Sequence, residues 1–531
     1  MKVAVIGAGA SGLTAIKCCL DEGLEPVCYE RTDEIGGLWN FKEEIRPGQA
    51  SVMKSTVINT SKEIMCYSDF PIPAEYPIFM HNKYVQQYFH LYDKEFGLRK
   101  YIKFQHEIIS ITKHPEFSTS GQWRIVVKDI VNDITTEIIY DAVLICTGHH
   151  ADVNIPTFPG LDKFKGKVIH SHDYKQSKGY EDKRILIIGI GNSGGDAAVE
   201  LSRAASQVYL STRRGSWILN RVSDRGLPVD MLNLNRFFTL LQYLFPVWAN
   251  TFMEFKLNRK FDHESYALKP NHRVFAQHPM VNDDLPNRII CGAVKVKTDI
   301  AEFTETGVRF VDGTYEDNID VVFLATGYKF GFPFLDKSVI EVKNNHVNLY
   351  KYVFPPDLGK NTLAVIGFIQ PWGAIMPLSE LQCRLATRVF KGNVTLPSKS
   401  EMWVDIEDKK TKMSEKYVKS QRHTIQVDYI PYQDELAKLC GCFPNLVKIC
   451  LTDPVLGFKC LFGSCTPYQY RLRGPGAWKG ARKAILTQWD RTMAPLKTRP
   501  LNLDTKQSQS GFVLFYMFFV SIFVLFLYML I

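Results

Sequence analysis

The sequence predicts an α/β fold in which one strand–turn–helix–strand unit occurs twice, with a helical insertion in the second copy and an apolar C-terminal segment. Two observations carry the duplicated unit. "KVAVIGAGASGL" at residues 2–13 and "RILIIGIGNSGGD" at residues 184–196 each place Gly-x-Gly-x-x-Gly after a continuous apolar run and before a helical pattern. That context, rather than the glycines alone, marks a Rossmann-type dinucleotide-binding unit. The third observation is the uncharged stretch "GFVLFYMFFVSIFVLFLYMLI", Gly511 to Ile531, which is long enough to span a hydrocarbon core.

Each element follows from its local pattern. "KVAVIG" is an apolar run of the kind buried on both faces of a parallel sheet. In the next stretch Leu13, Ile16 and Leu20 repeat at helical spacing, and Gly23 ends the helix. "EPVCYE" is the following strand and closes on Glu30. The unit recurs as strand "RILIIG", helix "SGGDAAVELSRAA" and strand "QVYLSTRR". Two further apolar strands end in small-residue turns, "DAVLICTGHH" and "DVVFLATGY", near the points where the chain would cross between the units. Aromatic-rich helical segments over residues 220–290 read as an insertion, and Pro444 to Gly463 is apolar but too interrupted by charge and proline to cross a bilayer.

Composition narrows the function. At 531 residues the chain exceeds one hydrophobic core. Its 64 Lys and Arg against 55 Asp and Glu give a scattered net charge of +9, without the basic-aromatic pattern of nucleic-acid binding, so no nucleic-acid partner is expected. That charge suits contact with an anionic membrane leaflet. The 12 cysteines lie in apolar neighbourhoods and form no Cys-x-x-Cys, which argues against a dithiol centre and a zinc site and for buried, reduced thiols. His170 and His172 lack an accompanying Cys, Asp or Glu cluster at ligand spacing, so no metal is expected. The chain starts directly on a strand without room for a signal peptide, which predicts a cytosolic body behind a membrane anchor and an unused sequon at Asn393–Val394–Thr395.

The residues closing the second strand of each unit separate the two ligands. Glu30, 18 positions after Gly12, suits an unphosphorylated adenosine ribose, as in FAD or NAD. The corresponding "STRR", Ser211 to Arg214, has no acid, and its two guanidinium groups favour a 2′-phosphate, hence NADPH. A flavin with a reduced nicotinamide implies hydride transfer to the flavin. The missing dithiol leaves oxygen, a quinone or a protein as the acceptor.

Between the units lies "FKGKVIHSHDY", or Phe164-x-Gly166-x-x-x-His170-x-x-x-Tyr174. This motif resembles the identifying motif of the flavin-containing monooxygenases, as do "ERTDEIGGLWNF", "NTSKEIMCYSDFP", "GHH", "GIGNSGGD", "LATGY", "QRHTIQVDYI" and "GPGAWKGARKAILTQWDR". The resemblance runs nearly from residue 1 to the tail. It implies an NADPH- and oxygen-dependent enzyme in which hydride reduces FAD, oxygen adds to the flavin as a peroxide, and one oxygen atom passes to a small lipophilic substrate. Oxygenation at nucleophilic nitrogen or sulfur and Baeyer–Villiger oxidation of ketones compete within that reading; an NADPH oxidase releasing hydrogen peroxide is the alternative. The motif ends in Tyr174, where related Baeyer–Villiger enzymes carry Trp.

By motif position, the resemblance implies an FAD site of Gly7, Ala8, Gly9, Ala10, Ser11, Gly12, Glu30, Leu38, Trp39, Asn59 and Thr60. It implies an NADP site of Ile58, Asn59, Gly189, Gly191, Ser193, Gly194, Gly195, Asp196, Arg213 and Arg214, with Asn59 catalytic where flavin and nicotinamide meet. The corresponding division is residues 1–154 and 331–443 for FAD, 155–330 for NADPH, 444–510 as a membrane-facing region and 511–531 as the anchor. The implied location is the endoplasmic reticulum membrane with the catalytic domains facing the cytosol; membrane lipid and a second copy of the chain are possible partners.

Overall fold

The computed structural model describes residues 1–418, 420 and 423–499. The predicted anchor at 511–531 lies outside the described residues; among those described, no helix is long and apolar enough to cross a membrane.

Two five-stranded parallel sheets organise the chain. The first runs Leu363–Val365, Ala142–Ile145, Lys2–Ile6, Glu25–Tyr29, Ile102–Lys103. The second runs Lys167–His170, Val321–Leu324, Arg184–Ile188, Gln207–Ser211, Val294–Lys297. The two orders correspond. In each, the strand before the glycine fingerprint is central and its successor pairs on one side. The strand ending in a Thr-Gly turn pairs on the other. The central strands have to be apolar throughout because both faces are covered: Val3, Ala4, Val5, Ile185, Leu186 and Ile187 are completely buried.

Each unit also carries a three-stranded antiparallel sheet. In the first it is His106–Lys113, Trp123–Asp129 and Ile134–Tyr140; in the second, Ile300–Phe303, Val308–Phe310 and Tyr315–Glu316. The chain leaves the first unit through Asp152–Val153 and returns through Tyr328–Lys329, and these two crossings pair antiparallel. Asn154 reinforces the crossing: its amide donates to Gly327 O at 2.9 Å and its carbonyl accepts from Thr326 Oγ1 at 2.5 Å.

The segment between the last two strands of the second sheet forms helices Val229–Asn233, Arg236–Leu244 and Pro246–Asn258. Trp217, Ala249, Met253, Leu257, Val274 and Phe275 give it a small core of its own. The returning chain lays helix Met376–Phe390 along the fingerprint helix Ala10–Asp21, where Ser11 Oγ and Ser379 Oγ lie 3.1 Å apart. Beyond it come helices Leu446–Thr452, Pro454–Phe462, Ala481–Leu486 and Gln488–Met493. All 12 cysteines are free, and all but Cys291 and Cys450 are buried.

The third glycine of each fingerprint is a packing requirement. A Cβ on Gly12 would lie 1.8 Å from Gly7 O, and one on Gly194 would lie 2.0 Å from Gly189 O. Both contacts are backbone, so relief means moving the turn away from its strand. Gly12→Ala and Gly194→Ala should each lower stability by about 1–3 kcal/mol or more, the cost of overpacking a tight interior. Denaturant unfolding of the two variants checks this, and unchanged midpoints would contradict it.

Candidate functional site

The first fingerprint turns directly into helix Ala10–Asp21, whose N-cap Gly9 supplies no side-chain acceptor, so the first-turn amides are left to an outside partner. Glu30 is brought to the same turn. One carboxylate oxygen accepts from Ala8 N at 2.8 Å, and the other accepts from Thr32 N and Thr32 Oγ1, each at 2.8 Å. A carboxylate has about four acceptor positions, so capacity for ribose hydroxyls remains. Gly37 closes over the loop, with its Cβ position 3.2 Å from Gly9 Cα, while Leu38 and Trp39 are half-buried beside it. Gly9 differs from Gly12: a Cβ there would come no closer than 3.7 Å to the protein, an ordinary contact. Ser11 is partly exposed in the first turn of the helix.

The second fingerprint repeats the arrangement with N-cap Gly191 and helix Asn192–Leu201. Ser193 is exposed at the helix start. Gly195 is buried beside Met280, the end of whose flexible side chain lies where an added Cβ would go. Asp196 is half-buried, accepts from Asn282 Nδ2 at 2.8 Å, and is pushed up to about 6 by burial, with Arg221 opposing the shift. At the end of the next strand Ser211 turns inward to Thr298 O at 2.7 Å, whereas Arg213 and Arg214 are exposed and form no ion pair among the described residues. These features fit the expected groups: uncapped helix starts for two pyrophosphates, an acid in one unit, and uncommitted guanidinium groups in the other.

The two units meet at Ile58, Asn59 and Thr60, all partly exposed. Asn59 Oδ1 accepts from Arg221 Nη2 at 2.7 Å, and Arg221 Nη1 pairs with Asp283 at 3.1 Å. Arg221 thus links the reaction-centre candidate of the first unit to Asp283 and, by charge, to Asp196 of the second. Sequence reasoning missed it. Its position lies within the aromatic-rich insertion, where an arginine reads as surface.

The stretch leading into Asn59 is tied down repeatedly. His172 Nε2 donates to Gln49 O at 2.6 Å, Lys54 N donates to Lys175 O at 2.8 Å, and Ser55 Oγ donates to Glu200. From the first unit Asn82 Nδ2 donates to Met53 O at 3.1 Å, and Asn82 N to Thr56 O at 2.9 Å. The Phe164–Tyr174 motif therefore lies along the edge strand of the second sheet, where it clasps the first unit. His170 Nδ1 accepts from His172 N at 3.1 Å, and Tyr174 packs edge-on against Phe323. Among the described residues no group of three or more His, Cys, Asp or Glu is arranged to hold a metal ion.

Downstream of Asn59 the restraints are ionic. The Ser61 amide donates to Asp230 Oδ2 at 2.6 Å. Lys62, completely buried, donates to the carbonyls of Ala74 and Tyr76 at 2.6 and 2.8 Å, and burial pushes its ammonium down to about 8. Glu63, also completely buried, accepts from Arg491 Nε at 3.0 Å and Nη2 at 2.6 Å, and from Tyr468 Oη at 2.9 Å.

Two predictions follow the geometry. Arg491→Met leaves the Glu63 carboxylate buried without its ion partner and should destabilise the protein by about 3–5 kcal/mol, measurable by denaturant unfolding. Gly9→Ala should leave the unfolding midpoint of the FAD-free protein unchanged yet abolish retention of FAD on purification, because only the ligand would meet the new methyl group. Normal flavin content in Gly9→Ala would contradict this account.

Comparison with known proteins agrees with this geometry. The family model described as flavin-binding monooxygenase-like matches residues 1–531. Flavin-containing monooxygenase 5 of Oryctolagus cuniculus is 57% identical over 501 residues, covering 94% of this chain and 93% of its own. Among solved structures, S-allyl-L-cysteine S-oxygenase from Allium sativum superposes with a TM-score of 0.64 at 23% identity, covering 93% of this chain and 98% of that one. Cyclohexanone monooxygenase from Rhodococcus sp. Phi1 bound to NADP+ superposes with a TM-score of 0.59 at 17% identity, covering 83% and 97%. The chain belongs to the flavin-binding monooxygenase-like family, an oxidoreductase family that uses FAD and NADPH.

Proposed function

We propose that this protein uses NADPH and molecular oxygen to insert one oxygen atom into small lipophilic molecules at a membrane surface. The supporting observation is the Asn59–Arg221 hydrogen bond at 2.7 Å, one of several contacts between the acid-marked unit and the arginine-marked one and the contact that holds the Asn59 side chain. In this reading Gly7, Ala8, Gly9, Ala10, Ser11, Gly12, Glu30, Leu38, Trp39 and Thr60 hold FAD. Gly189, Gly191, Ser193, Gly194, Arg213 and Arg214 hold NADPH, and Ile58 and Asn59 stand between the two cofactors. Gly195 and Asp196 complete the proposed NADPH site, with Asn282 donating to the Asp196 carboxylate at 2.8 Å.

Bound FAD would supply the redox chemistry, accepting hydride and activating oxygen. The chain's own residues orient and enclose. Asn59 presents its amide where the cofactors meet, and Arg221 fixes that amide by holding its oxygen, which leaves the NH2 group free to donate. The reacting atom can be a nucleophilic sulfur or nitrogen, or the carbonyl carbon of a ketone. The S-oxygenase and cyclohexanone monooxygenase likenesses support testing both classes on this fold.

Support for a membrane-facing side comes from exposed apolar residues that soluble surfaces rarely group together. Tyr243, Phe245, Val247, Trp248 and Phe255 stand out from the insertion, and Val447, Leu451 and Val455 from the helices after it. Phe237 and Phe462, with ring centres 5.2 Å apart, join the two groups. With the 511–531 segment, this patch would seat the enzyme on the endoplasmic reticulum membrane, its catalytic units in the cytosol.

Three outcomes are expected. Paired incubations with an aliphatic ketone and a thioether should yield an ester or a sulfoxide in step with NADPH oxidation. NADPH consumption with hydrogen peroxide as the only product would overturn the oxygenase reading. Arg213→Gln with Arg214→Gln should weaken the preference for NADPH over NADH about tenfold or more, as expected for lost charge-assisted hydrogen bonds; an unchanged cofactor preference would remove the phosphate assignment. Replacing Phe245, Val247 and Trp248 with Ser in protein lacking 511–531 should reduce sedimentation with anionic vesicles, and undiminished binding would place the lipid contact elsewhere.

A further inference from the structure

The Asn59–Ser61 stretch carries two restraints from the insertion, and one of them has no place in the reading above. Arg221 holds the Asn59 side chain. Asp230, the second residue of the short helix Val229–Asn233, holds the backbone two residues later: its Oδ2 accepts from Ser61 N at 2.6 Å, and its Oδ1 accepts from Met231 N at 2.8 Å. Ser61 is the completely buried N-cap of helix Lys62–Met65, with φ −68° and ψ 153°. Its amide has no helical acceptor, so the carboxylate from the insertion satisfies a donor that would otherwise be buried and unpaired. The helix bearing Asp230 is itself fixed to the C-terminal region, since Met231 O accepts from Ser464 Oγ and Leu234 O accepts from Cys465 N at 2.7 Å.

We propose that Asp230 is a positioning residue that fixes the Asn59–Thr60–Ser61 backbone through the Ser61 amide, so that the insertion sets the geometry of the reaction centre. This rests on the assignment of residues 58–60 to the cofactor junction. Asp230 touches neither cofactor nor substrate in this account. It determines where the Asn59 backbone sits, as Arg221 determines how its amide points. The chain downstream is held by other means, Lys62 by carbonyls and Glu63 by Arg491, so loss of the Asp230 contact should loosen the residues before Ser61 without releasing the helix after it.

The full-length protein in detergent provides the test. In the FAD-free form, amide hydrogen exchange of the peptide spanning residues 57–61 should accelerate about tenfold or more in Asp230→Ala, the factor expected for a lost hydrogen bond to a charged group, while helix Ala10–Asp21 exchanges as before. Asp230→Asn should restore most of the protection, since its amide oxygen still accepts. Ser61→Pro removes the donor while keeping a compatible φ, so it should loosen Asn59 and Thr60 as Asp230→Ala does, and the double variant should be no worse than either alone. In FAD-loaded enzyme the same variants should release more hydrogen peroxide per NADPH oxidised, with Asp230→Asn close to the parent. Unaltered exchange in both Asp230→Ala and Ser61→Pro, or additive effects in the double variant, would overturn the positioning role. Accelerated exchange with normal coupling of NADPH to product would uphold that role and instead overturn the placement of Asn59 at the reaction centre. Should Asp230→Ala fail to fold, Ser61→Pro and Asp230→Asn read the same contact from its other side.

Discussion

The fold depends on holding one stretch of the first unit, residues 49–63, in register with the second. Under the proposed assignment of one nucleotide to each parallel sheet, the sheets have no intrinsic reason to present those nucleotides to one another. The structure supplies the reason through a run of hydrogen bonds from His172, Lys175 and Glu200 on the upstream side and Arg221 at Asn59. These contacts cost little individually. Their effect lies in being directional, because each fixes a backbone or amide atom whose displacement by an ångström would misplace a reacting group.

Charge is used differently on the two sides of Asn59. Upstream, the partners are mostly neutral carbonyls and amides at the edge of the second sheet. Downstream, the Glu63–Arg491 pair and the caged Lys62 are buried ions. A buried ion pair adds little net stability over an apolar pair of the same shape, but it tolerates few alternative geometries. Helix Lys62–Met65 thereby becomes a fixed post from which the Asn59 loop extends. Because Arg491 and Tyr468 come from the C-terminal region, that post forms only when nearly the whole described chain has folded.

Much of this architecture was legible in the sequence, and the limits are physical. Both fingerprint units, their apolar central strands and the two Thr-Gly strands could be read because each signal is local: a run buried on both faces, a tight turn, a helical repeat. The positions of Glu30 and the Arg213–Arg214 pair, just beyond the second strand of each unit, could be read because they lie at a fixed offset from the turn. The antiparallel meanders at 106–140 and 300–316 were not anticipated; Trp123–Asp129 alternates cleanly, but its neighbours His106–Lys113 and Ile134–Tyr140 do not, and neither does Ile300–Phe303. Arg221, Asp230 and Arg491 were invisible for another reason. Each is an ordinary charged residue until the fold places it against a partner far along the chain, with Asn59 and Arg221 separated by 162 residues.

The central claim is that Arg221 and Asn59 act as one unit in bringing hydride donor and acceptor together. The most direct measurement is the anaerobic rate of flavin reduction by NADPH, followed by stopped-flow absorbance in the parent, Asn59→Ala, Arg221→Ala and the double variant. The account predicts that both single variants slow reduction and that the double variant is no slower than the worse single one, because each substitution removes the same contact. Rate losses that multiply in the double variant would contradict it, showing two residues acting independently.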